Sequence, residues 1–79
     1  MSTKHYQKQL ILLGCNIERC RKMRGMTQQE LAEKVSLSRT HLSNLEAPGM
    51  AVPISLEKLF AIAEALNVPV SVLFDFDEP

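Results

Sequence analysis

Apolar residues recur every three or four positions along most of this chain, which is the period of an α-helix. In the first third this spacing predicts one helix over about residues 8–24, which Gly25 ends as a left-handed cap. Gly14, within this helix, would let a neighbouring element approach closely. The apolar residues on the predicted buried face are Leu10, Leu13, Ile17 and Cys20.

Residues 27–46 predict two shorter helices joined by a tight turn. Thr27 and Glu30 have the spacing of a capping box, and Ser38 can cap the second helix by accepting from its first amides. The apolar positions of the two helices are Leu31, Ala32 and Val35, then Leu42 and Leu45. The other face of the second helix carries hydrogen-bonding residues, Arg39, Thr40, Ser43 and Asn44. This is the layout of a helix-turn-helix.

The last third predicts two more helices. Ser55 caps one over Leu56 to about Leu66, and a short apolar helix follows over residues 70–74. The predicted buried stripe of the longer helix is Leu56, Leu59, Phe60, Ala63 and Leu66, broadened by Ile62. Residues 70–74 also have strand propensity, but the chain offers no second strand to pair with them. The expected fold is therefore all-α, a compact five-helix bundle in one domain over 1–79, with a core over about 8–74.

Composition excludes several protein classes. Hydrophobic residues are 46% of the 79 residues, too many for a disordered chain. No apolar run approaches the ~20 residues that span a bilayer, and Leu10 to Leu13 is too short for a secretion signal, so we expect a cytoplasmic protein. Cys15 and Cys20 point to different sides of one helix, which favours free structural thiols over a metal site. Because no catalytic constellation stands out, we expect neither an enzyme nor a cofactor.

The formal net charge is zero, but charge is distributed unevenly along the chain. Residues 1–26 carry a net charge of +5, residues 27–46 carry −1, and residues 47–79 carry −4. A basic end of this kind can face phosphate groups while an acidic end faces away.

The polar face of the second helix in 27–46 has the chemistry to read bases. The major groove of duplex DNA admits a helix, and an arginine near its N-terminus can form a bidentate contact with guanine. Arg39 is the best candidate for that contact, and Ser38 can add a contact to the DNA backbone. The further candidates for base contacts are Thr40, Ser43 and Asn44.

Residues 13–46 resemble the Cro/repressor-type family of bacterial and phage regulators, whose DNA-binding domain has the lambda-repressor-like fold. The resemblance lies in the segment LGCNIERCR (13–21) and in Gln28, Leu31, Ala32, Val35, Leu37, Leu42, Leu45 and Glu46. Two features depart from the family. Ser36 stands where the family usually has a glycine with positive φ, and the loop over 47–55 has no charge where many relatives carry phosphate-binding Lys or Arg. The second departure predicts weaker binding with a shallower salt dependence.

The resemblance implies roles for further side chains. Arg21 and Glu46 are expected to form a partly buried ion pair that fixes the first helix against the recognition helix. Gln28, Lys22 and Arg24 are expected to contact the DNA backbone, with a solvated surface as the alternative for each. The fifth helix is expected to form a two-fold dimer contact, unless it only closes the core of the monomer. The residues expected at that contact are Val70, Val72 and Phe74.

Two functions remain open at this point. The first is a sequence-specific transcriptional regulator, expected to be a repressor, that binds a palindromic operator in double-stranded DNA as a homodimer. The second is a protein-interaction module, antitoxin-like or a regulatory partner, that has the same fold and little or no DNA binding. The uncharged loop and the zero net charge motivate the second function.

Overall fold

A computed structural model describes residues 3–76, with side chains from His5 onward. All regular structure in that range is helical, in agreement with the prediction. A short 3-10 helix, Thr3–Tyr6, leads into five α-helices: α1 (Gln7–Met23), α2 (Gln28–Lys34), α3 (Arg39–Glu46), α4 (Leu56–Leu66) and α5 (Val70–Leu73). The predicted domain limits, residues 1 and 79, lie outside the described residues.

Three of the helices begin at predicted capping residues. At the start of α2, the Glu30 N–H donates to Thr27 Oγ1 at 3.0 Å and the Thr27 N–H donates to Glu30 Oε1 at 2.9 Å. The hydroxyls of Ser38 and Ser55 each accept a hydrogen bond from the backbone N–H three residues later. These bonds satisfy amide groups that would otherwise lack a partner at a helix start.

Left-handed backbone occurs in the described residues at three points where helices end. Gly25 has φ 69°, while Ser36 and Asn67 each have φ 57°. Ser36 therefore has the left-handed conformation at a turn position that is usually glycine in the family that the sequence resembles. Its side chain makes that conformation more costly than it would be for glycine.

Helix α1 organises the packing. It contacts α3, α4 and α5, whereas α2 contacts α3 and α4, so α3 is held by α1 and α2 together. At Gly14 the two helices lie so close that an added Cβ atom would collide with the backbone carbonyl of Leu45 in α3. The buried core is Leu13, Ile17, Cys20, Leu31, Ala32, Val35, Leu42, Leu45, Leu59, Ile62, Ala63, Leu66 and Leu73. The predicted close approach at Gly14 thus places α1 directly against the end of the helix that carries the polar face.

The predicted buried stripe of α4 is wrong at two positions. Leu56 and Phe60 are 62% and 54% exposed, although both were expected in the core. The buried residues of α4 are instead Leu59, Ile62, Ala63 and Leu66. That set follows the i, i+3, i+4, i+7 spacing of one helical face, and Phe60 lies outside its edge. Leu56 is in register with this face but is the first residue of α4. None of the described helices is long and apolar enough to cross a membrane.

Candidate nucleic-acid interface

One face of α3 presents its polar side chains to solvent. Arg39, Thr40 and Ser43 are exposed and line one small groove on the helix surface, and Asn44 is half-buried. Ser38, exposed at the start of the helix, uses its hydroxyl to cap α3. Leu42 and Leu45 anchor the opposite face in the core, so the helix is fixed while its polar face is free. An exposed hydrogen-bonding face of this kind can enter a major groove.

A buried hydrogen-bond network fixes α3 at its other end. Arg21 Nε donates to Glu46 Oε2 at 2.8 Å, and Arg21 Nη2 donates to Glu46 Oε1 at 2.9 Å. The two residues are 7% and 2% exposed, so the structure contains the ion pair that the resemblance implied. The hydrogen bond from Arg21 to Glu46 is the main reason that the pKa of Arg21 is raised above its ordinary value. Arg21 Nη1 also donates to the Met26 carbonyl at 2.7 Å, which ties the end of α1 to the turn before α2.

Gln28 belongs to the same network. Its Nε2 donates to Glu46 Oε1 at 2.9 Å, so the side chain is half-buried and has a defined orientation. The resemblance implied a phosphate contact for Gln28, and the second N–H of its side-chain amide is still available to donate to one. Gln28 and Arg39 line a common cleft between the starts of α2 and α3, together with Arg21, Thr27 and Gln29.

Arg24 is placed differently from the prediction. It was expected at the DNA backbone, but its Nε donates to the Leu66 carbonyl at 2.7 Å and its Nη2 donates to the Asn67 carbonyl at 3.0 Å. The guanidinium therefore caps the C-terminus of α4, where carbonyls without intrahelical partners attract a cation. Arg24 lines a groove with Val68 and Val72 and is not part of the cleft that holds Gln28 and Arg39. The phosphate role predicted for Arg24 has no support in this arrangement.

Two further cations, Lys58 and Lys22, have different environments. Lys58 Nζ donates to the Val35 carbonyl at 2.7 Å and so caps the C-terminus of α2, a role that nothing near Lys58 in the sequence indicates. Lys22 is exposed and approaches Glu18 at 3.7 Å, a surface pair that contributes little to stability. Lys22 therefore stays available for the predicted backbone contact.

The three residues predicted at a dimer contact have different environments. Val70 and Val72 are half-buried and pack against the core of their own chain, as the alternative interpretation of α5 requires. Phe74 follows α5 and is 45% exposed. Only Phe74 of the three thus presents a large apolar surface to a partner.

Comparison with known proteins decides the family. A family described as helix-turn-helix matches residues 17–73, which is most of the chain. The chain belongs to the helix-turn-helix family. This is a family of DNA-binding transcriptional regulators and not of enzymes, so the expectations of a DNA-binding regulator and of no enzyme are both confirmed.

Particular relatives extend the comparison. The immunity repressor protein of Bacillus phage phi105 is 41% identical over 61 residues, which are 77% of this chain and 41% of the repressor. The chain thus spans less than half the length of that relative. Among solved structures, the restriction-modification controller protein C.AhdI from Aeromonas hydrophila has a TM-score of 0.75 and 26% identity, covering 82% of this chain and 96% of C.AhdI. SinR, described as a master regulator for biofilm formation and solved in complex with DNA, has a TM-score of 0.71 and 33% identity, covering 80% and 98%.

Proposed function

We propose that this helix-turn-helix chain is a repressor that binds a palindromic operator as a homodimer, with α3 of each copy in the major groove. The observation that carries the proposal is the exposed polar face of α3, which the buried Arg21–Glu46 pair holds against α1. The phage phi105 relative is named an immunity repressor, and this name supports repression as the proposed activity. Membership of a DNA-binding family supports the proposal that the chain acts in the cytoplasm.

Arg39 is the proposed base-reading residue. It is exposed at the first position of α3, and none of the hydrogen bonds or ion pairs described within residues 5–76 involves its guanidinium. Bidentate recognition of guanine by an arginine contributes about 1–3 kcal/mol of discrimination against another base. Thr40, Ser43 and Asn44 extend the proposed contact along the same helix.

The proposed contacts to the DNA backbone come from Gln28, Ser38 and Lys22. Gln28 is oriented by its hydrogen bond to Glu46 and lies in the cleft beside Arg39. Two recognition helices about 34 Å apart would fit successive major grooves, which is one turn of the duplex. A homodimer with two-fold symmetry therefore predicts an operator whose two half-sites are related by the same symmetry.

Selection from a random duplex library tests the proposal. The wild-type chain is compared with Arg39→Ala and with Lys34→Ala, in which an exposed cation at the end of α2 is removed. We expect the wild type and Lys34→Ala to enrich one palindrome, and Arg39→Ala to lose preference at one symmetric pair of positions. If the wild type enriches no sequence even at low salt, the regulator proposal is wrong and the protein-interaction module is favoured instead.

A further inference from the structure

A shallow groove of about 460 Å³ runs between the second half of α1 and the α4–α5 end of the chain. Its lining combines apolar side chains with two arginines: Arg19, Cys20, Met23, Arg24, Val68 and Val72. None of these six residues lines the cleft that holds Gln28 and Arg39 or the small groove on α3. This α1–α5 groove is therefore a surface separate from the proposed base-reading face.

The apolar part of the α1–α5 groove has a fixed floor and an adaptable rim. Cys20 is buried in the core, and the half-buried Val68 and Val72 pack against that core. Met23 is 78% exposed, the largest exposure among the large apolar residues described. A partner side chain could thus cover a floor that is already ordered, while the unbranched methionine adjusts to its shape.

Arg24 fixes the spacing between the two walls of the groove. Its backbone follows α1, and its guanidinium donates from Nε to the Leu66 carbonyl at 2.7 Å and from Nη2 to the Asn67 carbonyl at 3.0 Å. The end of α1 is thereby joined to the end of α4, so the groove is formed before a partner arrives. The remaining nitrogen, Nη1, makes no hydrogen bond within the described residues and is left as a donor.

The charged part of the groove is cationic. Arg19 is exposed, and its side chain makes no hydrogen bond or ion pair in the part of the chain that the structure describes. The lining contains no carboxylate, and Glu18, which precedes Arg19, lies 3.7 Å from Lys22. Guanidinium groups form their strongest hydrogen bonds with carboxylates, so the charge that complements this groove is an anion beside an apolar group.

We propose that the α1–α5 groove binds a segment of another protein in which an apolar side chain lies next to a carboxylate. The apolar side chain covers the floor of the groove beside Met23, and the carboxylate accepts hydrogen bonds from Arg19 and from Arg24 Nη1. This interaction goes beyond the proposed repressor function, because it requires neither DNA nor a second copy. Two copies that met groove to groove would bring the same arginines together, and like charges disfavour that contact.

Panning of a random peptide display library against the folded wild-type chain supplies the probe. We expect the enriched peptides to share an apolar residue adjacent to Asp or Glu. The most enriched peptide is then synthesised with a fluorescent label, and fluorescence polarisation measures its Kd. A library that yields no enriched peptide, or only peptides without an acidic residue, would overturn the proposal.

Two matched pairs of variants locate the bound peptide. Arg19→Glu reverses a charge in the groove, and Lys34→Glu reverses that of an exposed cation at the end of α2. Met23→Ser removes the methionine of the groove, and Met50→Ser removes one that is 43% exposed in the loop after α3. We expect the two groove variants to raise the Kd about tenfold or more and the two controls to change it less than about threefold. Equal effects within each pair would show that the peptide binds elsewhere.

An amide in place of the peptide carboxylate tests the pairing with Arg19 directly. We expect this change to weaken binding to the wild type about tenfold and not to weaken binding to Arg19→Glu, in which the cation is already absent. A loss of the same size in both proteins would mean that the carboxylate does not contact Arg19. Circular dichroism and urea unfolding establish that each variant is folded.

Other occupants of the groove give different results, and each would overturn the proposal. Octanoate, an apolar carboxylate, would displace the labelled peptide at the same concentration as unlabelled peptide if the groove were a site for small molecules. In a contact between copies, Arg19→Glu and Met23→Ser would weaken self-association in sedimentation equilibrium and leave peptide binding unchanged. If Arg19→Glu weakens binding of the selected duplex but not of the peptide, Arg19 belongs to the DNA surface. None of these results alters the enrichment of a palindrome by the wild type, on which the regulator proposal depends.

Discussion

Arg21 of α1 and Glu46 of α3 are joined by two hydrogen bonds of 2.8 and 2.9 Å, and both residues are almost fully buried. Because Glu46 is the last residue of α3, this pair determines how the recognition helix is held against α1. Replacing Glu46 by Leu would leave the guanidinium of Arg21 buried without its carboxylate. We expect Glu46→Leu to lower the free energy of unfolding by about 3–5 kcal/mol, measured by urea denaturation.

The double variant Arg21→Met/Glu46→Leu separates the buried charge from the loss of packing. Removing both charges leaves no uncompensated ion, so we expect the double variant to be more stable than Glu46→Leu alone. If the losses in free energy of unfolding caused by Arg21→Met and by Glu46→Leu simply add in the double variant, the two residues are not coupled, contrary to this expectation.

Gly14 is predicted to be intolerant of even one methyl group. Alanine in a helix interior is ordinarily more stable than glycine by about 1 kcal/mol, but here its Cβ would meet the Leu45 carbonyl. Since that carbonyl belongs to the backbone of α3, the helices must separate. We expect Gly14→Ala to lower the free energy of unfolding by about 2 kcal/mol or more, which thermal unfolding would detect as a large drop in Tm.

Gly49→Ala is the matched control for this effect. Gly49 has no positive φ, and nothing lies within 4 Å of the position its Cβ would take. We expect the free energy of unfolding of Gly49→Ala to remain within about 0.5 kcal/mol of that of the wild type. Equal losses in the two variants would show that close packing of α1 on α3 is not the cause.

The features of the fold that could be predicted from the sequence depend mostly on residues that are close together in the chain. The capping box of Thr27 and Glu30 and the left-handed Gly25 depend on residues within one turn of the chain, and both occur where predicted. The Arg21–Glu46 pair joins residues 25 apart and was predicted from the family resemblance alone. Periodicity identified the helices, but it did not determine which of several apolar residues on α4 face the core.

Long-range side-chain contacts account for what was missed. The sequence alone predicts a surface cation at Arg24. Only the fold brings its guanidinium to the carbonyls of Leu66 and Asn67, which are 42 and 43 residues away. Asn16 and Lys58 likewise bind carbonyls at the ends of α5 and α2, and nothing near them in the sequence indicates those partners. Two of these contacts engage the cations Arg24 and Lys58 within the fold, and a charge count along the chain cannot detect that.

The capping box makes stability depend on pH. The Thr27 backbone N–H and then its hydroxyl group lower the pKa of Glu30 below its ordinary value of 4.5. Because the folded state favours the carboxylate, this contribution is fully present above pH 4.5 and is lost as pH falls through the lower folded pKa. We expect the Tm difference between the wild type and Glu30→Ala to be clear at pH 7 and to shrink progressively below pH 4.5.

Glu33→Ala is the control for this pH dependence, because Glu33 is an exposed carboxylate of the same helix. Its Tm difference from the wild type should change less between neutral and acidic pH than that of Glu30→Ala. An effect of Glu30→Ala that stays constant down to pH 3 would indicate that the capping carboxylate is not favoured in its ionised form by folding.

The salt dependence of DNA binding should distinguish Lys22 from Arg24, two cations at the end of α1. Each phosphate contact contributes close to one unit to the slope of log K against log salt, so Lys22→Ala should reduce the slope of a homodimer by about 2. Arg24 is hydrogen-bonded to the C-terminus of α4, so Arg24→Ala should lower Tm and leave the slope unchanged. Titrations of the selected duplex at several salt concentrations measure both slopes. If Arg24→Ala reduces the slope as much as Lys22→Ala does, Arg24 must leave its cap to contact phosphate, and its structural assignment is incomplete.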